Sequence, residues 1–189
     1  RQVIYTRLLM GAIYLALPFF AIHAQKDLGF APSMVGLFVS AQMVGGVGGG
    51  PLWGYLGDNH GPRWVVRLVT VFFFMTGVLA LMARAAFFSG ITGLSLALYM
   101  VLYFCIGAAF GGTWIGFTNY VLDIAVPEQR ATLVGLFNTI SAPLTLLTMV
   151  GGWLLQATNY TWLFSVEAAI VVLAVASAWR LPDSREYRA

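Results

Sequence analysis

With 189 residues, 60% of them hydrophobic and only 9% charged, the chain lacks the polar surface of a water-soluble domain, which carries about 25% charged residues. Its net charge of +3 and pI near 9.3 do not indicate nucleic acid, because the ten Lys and Arg are scattered singly rather than clustered. Cys105 stands alone, which excludes an internal disulfide; no spacing suits a metal, and no cofactor is implied.

Apolar runs parted by polar turns predict six membrane helices, each long enough for the ~20 residues that a bilayer crossing needs. The first covers about Tyr5 to Ala24 and carries Tyr14 and Pro18 on one face, with His23 near its outer end as an interfacial histidine. The second, about Ser33 to Gly57, carries Gly46, Gly50 and Gly54 at spacing four, plus Gly45, Gly48 and Gly49, a packing seam for close helix approach; Gly107 and Gly111 in the fourth helix invite the same reading. Gln42 on the same helix is a candidate for contact with a polar solute. The third, about Trp64 to Phe87, ends beside Arg84.

The fourth helix, about Leu94 to Leu122, sets Tyr99, Tyr103, Phe110, Trp114 and Thr118 on one stripe. That stripe either lines a solute cavity or faces lipid and a neighbour, and Tyr99 could serve only as an interface anchor. Mid-span Tyr103 and Trp114 need partners for O–H and N–H, which favours the cavity. The fifth, about Ala131 to Gln156, shows Asn138, Ser141, Thr145 and Thr148 on one face, able to bond across helices or to touch a solute. Pro143 should kink it. The sixth, about Trp162 to Trp179, holds Glu167, and an ion pair between Arg84 and Glu167 is expected because a lone charge in lipid costs about 2.5–3.5 kcal/mol or more.

Six crossings place both ends on one side. Arg1, Arg7, Arg63, Arg67, Arg130, Arg180, Arg185 and Arg188 fall on that side, against Lys26 and Arg84 opposite, so the termini are expected in the cytoplasm. The chain opens on Arg1 rather than Met and reads as a piece of something longer.

The turn Gly54-Tyr-Leu-Gly-Asp58-Asn-His-Gly61-Pro-Arg63 resembles the loop signature between the second and third helices of each half in the major facilitator superfamily. Asn59 and Pro62 depart from that signature, where Arg or Lys is usual. Asp123 to Arg130, with Pro127 between, resembles the family's loop between the fourth and fifth helices, and the likeness covers nearly the whole chain. The resemblance implies an all-α half of six transmembrane helices built from two inverted three-helix repeats, about 1–88 and 89–189. It implies a cytoplasmic latch made by Asp58, Arg63, Asp123 and Arg130, although the same residues would also stop helices and set topology. The first and fourth helices line the pathway in that family, which supports Tyr14, Tyr103 and Trp114 as cavity residues beside Gln42, Asn138 and Ser141. Tyr103 replaces the Arg that some N-terminal halves carry before Gly107, and a Gly-Pro-x-x-Gly-Gly signature is missing from the fifth helix, so the C-terminal half is indicated. The tail from Leu181 to Glu186 resembles the charged segment after a final helix.

The function so implied is secondary active transport of a small solute in the plasma (inner) membrane. This half would rock against a second six-helix half, attached covalently or supplied by dimerisation. A non-transporting scaffold or a channel subunit is the alternative. An intramembrane enzyme is disfavoured, since only His23 and His60 exist and no two aspartates share mid-span depth.

Overall fold

The structure is a computed structural model and describes residues 2–184; Arg1, Arg185, Glu186 and Arg188, used above for topology and tail, lie outside the described residues. Six spans are long and apolar enough to cross a membrane: Gln2–Lys26, Met34–His60, Pro62–Phe88, Thr92–Ile124, Pro127–Ala157 and Tyr160–Trp179. All regular structure among the described residues is helical, because in hydrocarbon each N–H and C=O must find its partner within the segment.

The spans resolve into eight α-helices: α1 (Gln2–Met10), α2 (Ile13–Lys26), α3 (Met34–His60), α4 (Pro62–Phe88), α5 (Thr92–Ile124), α6 (Arg130–Ser141), α7 (Leu147–Ala157) and α8 (Tyr160–Trp179). Two spans are therefore not single rods. The first breaks at Gly11–Ala12, between α1 and α2. The fifth opens with a 3-10 turn at Pro127–Gln129 and tightens again to 3-10 geometry over Ala142–Leu146, around Pro143. A proline there has no N–H for the helical ladder, which is the physical cause of the predicted kink. Pro18 likewise leaves the carbonyl of Tyr14 without its helical partner, yet α2 continues unbroken. The hydroxyl of Thr148, from α7, donates to that carbonyl at 3.0 Å.

Helix α5 is the central rod, packed along both α3 and α4; α4 also packs on α8, α8 on α1, and α2 on α7. The α3–α5 crossing is backbone on backbone: a Cβ at Gly45 would collide with the Phe104 carbonyl, and one at Gly107 with the carbonyl of Gln42. Of the glycines predicted to form a seam, Gly45, Gly49 and Gly107 make the close approach, so the register at Gly46, Gly50 and Gly54 is corrected by one residue; positions 50 and 54 face open space. The shift follows from Trp53, which is fully buried and donates its indole N–H to the Ala108 carbonyl at 2.9 Å, so that its own face of α3 turns inward. Phe20, Phe38, Phe73, Tyr99, Phe117 and Phe164 supply the bulk of the core.

Coverage is uneven. Of the residues in the apolar stretch of each span, 22% of the second and 17% of the fifth are buried, against 44–50% in the other four. Val47 on α3 and Met149 on α7 are 80% and 74% exposed.

Candidate functional site

Both ends of the described chain meet on one face of the bundle, here the terminal face: the Gln2 amide donates to the Ser177 carbonyl at 3.2 Å and to its hydroxyl at 3.0 Å. The turn between α3 and α4 is made by Gly61, whose φ of +89° suits a residue without Cβ, and Pro62 then starts α4. This reversal brings Asp58 to a cavity of about 300 Å³ that Gly57, Asn119, Asp123 and Arg130 also line. Three of the predicted loop residues, Asp58, Asp123 and Arg130, are therefore gathered around one space.

Arg63 turns instead to the segment after α8, pairing with Asp183 at 3.0 Å. That segment is strapped down along its length. Arg67 donates to the Ala178 and Trp179 carbonyls at 3.3 and 2.9 Å, Tyr120 to the Pro182 carbonyl at 3.1 Å, and Ser184 to the Asp123 carboxylate at 2.9 Å. Arg67, Asp183 and Ser184 were not singled out from the sequence. A charged tail after an apolar helix was legible, but its docking partners depend on long-range packing. Gly54 makes no close contact.

A second space, of about 150 Å³, opens between α1, α5 and α6 and is lined by Arg7, Phe110, Trp114, Phe117, Thr118 and Asn138, among others. Phe117 stacks on Phe137 with centroids 5.6 Å apart, and the Arg7 guanidinium lies 5.6 Å from the Phe117 centroid. Trp114 is 67% exposed. The ring of Tyr14 reaches Phe110 at 6.3 Å, one side chain behind the cleft. Of the predicted cavity residues, Trp114 and Asn138 thus share this cleft and Tyr14 borders it.

The others lie elsewhere. Tyr103 is buried, stacked on Phe38 with centroids 5.2 Å apart. Gln42 lends its carbonyl to the α3–α5 crossing. Ser141 spends its hydroxyl on the Phe137 carbonyl at 2.8 Å, and Thr145 on that of Ala142 at 2.9 Å, so most of the polar face of the fifth span serves its own irregular backbone.

The far face carries a third polar group. The expected Arg84–Glu167 pair is absent: Arg84 donates to Asp27 at 2.8 Å, because the turn after α2 brings that carboxylate to the end of α4. Glu167 is fully buried against Gly77, with no hydrogen-bond partner for either oxygen. His23 is not interfacial. It is fully buried, bonded to Asp27 at 3.1 Å on one ring nitrogen and to the Tyr99 hydroxyl on the other. Tyr99 is accordingly a buried partner rather than an anchor, and Asp27 is the residue that sequence reasoning overlooked. Among the described residues no group of three or more His, Cys, Asp or Glu could hold a metal ion.

A family model described as the Major Facilitator Superfamily matches residues 4–189. The chain belongs to this superfamily. Within it, the chain is 27% identical over 165 residues to the glucose transporter GlcP of Staphylococcus epidermidis, covering 86% of this chain and 34% of that protein. Among solved structures, a D-xylose-proton symporter superposes with a TM-score of 0.77 at 17% identity, over 98% of this chain and 48% of its own. The inward open xylose transporter XylE from E. coli gives 0.78 at 18% identity, with the same coverage. The two solved structures share its fold, and the chain spans about half the length of each and about a third of GlcP.

Proposed function

We propose that this chain is one six-helix half of a secondary active transporter, moving a small solute by alternating access as it rocks against a second six-helix half. The observation that carries the reading is the cleft between α1, α5 and α6, where Arg7, Thr118 and Asn138 bring polar groups into the membrane-spanning part of the bundle. A scaffold has no use for polar groups there, since each costs free energy unless something polar meets it. Tyr14, Trp114 and Asn138 are its solute-side residues; Gln42, Tyr103 and Ser141 support it from the core and backbone.

Two inverted repeats, about 1–88 and 89–189, account for the packing. The second span crosses the fourth as the fifth crosses the first, and in each case a side chain donates across to a carbonyl: Trp53 to Ala108, Thr148 to Tyr14. The two least covered spans, second and fifth, hold matching positions and offer their bare faces to the second half. That half is joined covalently, in keeping with relatives about twice this length or more, and the missing signatures of the fourth and fifth helices assign this chain to the C-terminal position.

Asp58, Asp123 and Arg130 around the terminal cavity, with Arg63 on Asp183, act as the latch that must open when the halves rock. Gly61 shapes its loop, while Gly54 lies within α3. The excess of arginine on the terminal face supports a cytoplasmic position for both termini by the positive-inside rule, in what we read as the plasma membrane. The relatives' names make glucose and xylose the first solutes to try. Vesicles containing the whole protein should take up or exchange labelled D-glucose, D-xylose or their acid derivatives above protein-free vesicles. No entry of any of them, with correctly inserted protein, would favour a scaffold.

A further inference from the structure

We propose that Arg7 makes the cleft between α1, α5 and α6 an anion site, which takes a free solute by its carboxylate or phosphate group. This rests on the reading of the chain as a transporter half and adds the charge of what it carries.

Several arginines near the spans already have acceptors. Arg63 has Asp183, Arg84 has Asp27, and the Arg67 guanidinium is occupied by carbonyls at the C-terminal end of α8. Arg7 sits within the first span, and among the described residues no carboxylate lies within ion-pair distance of it. What it has is the face of Phe117 and a side-chain hydrogen bond with Tyr14. A ring face steadies a cation and a neutral phenol oxygen can accept from it, but neither carries the opposite charge, and the fork of five N–H donors has room for further acceptors.

The cleft does not supply an anion. It has no acidic lining residue; Thr118 and Asn138 are neutral, and the Thr113 hydroxyl is bound to the Ala109 carbonyl at 2.7 Å. The space therefore carries one uncompensated positive charge, beside aromatic walls and an exposed amide. A guanidinium fork matches the paired oxygens of a carboxylate or phosphate. Trp114 and Phe110 offer apolar faces to the rest of a small molecule. A lipid phosphate has the same chemistry, but a space of about 150 Å³ enclosed by three helices suits a small free anion better.

The test uses the full-length transporter in neutral detergent and follows thermal unfolding with matched ligands: D-glucose against D-gluconate and D-glucose 6-phosphate, D-xylose against D-xylonate. At least one acid should raise the melting temperature while its neutral twin does not. Arg7→Gln should weaken that acid by about tenfold or more, with Arg7→Lys between the two. Should Arg7→Gln fail to fold, phenylglyoxal modification of Arg7 in the wild type, mapped by mass spectrometry, should be slowed by the acid and not by its twin. Equal shifts from acid and neutral sugar, shifts that survive Arg7→Gln, no shift from any acid, or a shift from phosphatidylglycerol alone would each overturn the site. Entry of a neutral sugar into vesicles without any effect of the acids would keep the transport reading and remove this inference. Acid binding without entry would do the reverse.

Discussion

The crossing of the second span over the fourth and the crossing of the fifth over the first follow one plan with different stiffness. At the first crossing α3 and α5 are both continuous, over 27 and 33 residues, and their backbones touch at Gly45, Phe104, Gln42 and Gly107. At the second, a Cβ on Gly151 would collide with the Leu15 carbonyl in the same manner, but both partners are interrupted, at Gly11–Ala12 and at Ala142–Leu146. The same contact is held by two uninterrupted helices on one side and by two interrupted ones on the other. The cleft with Arg7 and Asn138 lies along the jointed spans. Under the proposed alternating access, one crossing stays rigid while the other gives.

The largest effect should come from the rigid crossing. Gly107→Ala forces a methyl into the Gln42 carbonyl with no loop nearby to absorb it, a cost of about 1–3 kcal/mol, read as lost abundance and a lower melting temperature in detergent. Gly46→Ala, whose Cβ would stand 3.7 Å from the Gly107 carbonyl oxygen, should be tolerated. Gly151→Ala should cost less than Gly107→Ala, because the 3-10 segment can shift; an equal or greater loss would remove the distinction between the crossings.

A smaller effect isolates the joint itself. Thr148→Val deletes the hydroxyl that serves the Tyr14 carbonyl and should cost about 1 kcal/mol. Pro18→Ala restores a backbone N–H at the place where that carbonyl lost its partner. In the Pro18→Ala background Thr148→Val should therefore cost measurably less, a coupling that a double-mutant cycle of unfolding free energies reads directly. Additive losses would show that the hydroxyl does not fill the gap left by proline.

The smallest stability effect belongs to the Arg63–Asp183 pair of the proposed latch. Arg63 and Asp183 keep 29% and 20% of their side-chain surface exposed, and exposed pairs contribute about 0–1 kcal/mol. Arg63→Gln should leave the melting temperature nearly unchanged while altering transport rate, and a large loss of folded protein would make the pair structural instead.

The six spans, the turn at Gly61 and the kink at Pro143 were legible because each rests on local chemistry: apolar length, a positive φ, a missing N–H. Residues that line the cleft were legible where a polar or aromatic group lay at a helix surface, as Trp114 and Asn138 do. What failed was pairing. Arg84 chose Asp27 over Glu167 because the turn after α2 folds back onto the end of α4, which no helical periodicity records. The glycine seam moved by one residue because Trp53 claimed the inward face, and six glycines within Gly45–Gly54 left both registers open. Arg7 was read only as a topological charge, since its apposition to Phe117 exists only once α1 and α5 are packed.

The account depends most on the cleft being the wetted route of a solute rather than a fold in a lipid-facing wall. The direct measurement is labelling of single cysteines in the full-length protein, with Cys105→Ser as background, by a membrane-impermeant thiol reagent. Asn138→Cys should react from one side of the membrane and Val172→Cys, on the exposed outer flank of α8, should not. An unreactive position 138 beside a reactive position 172 would contradict the account.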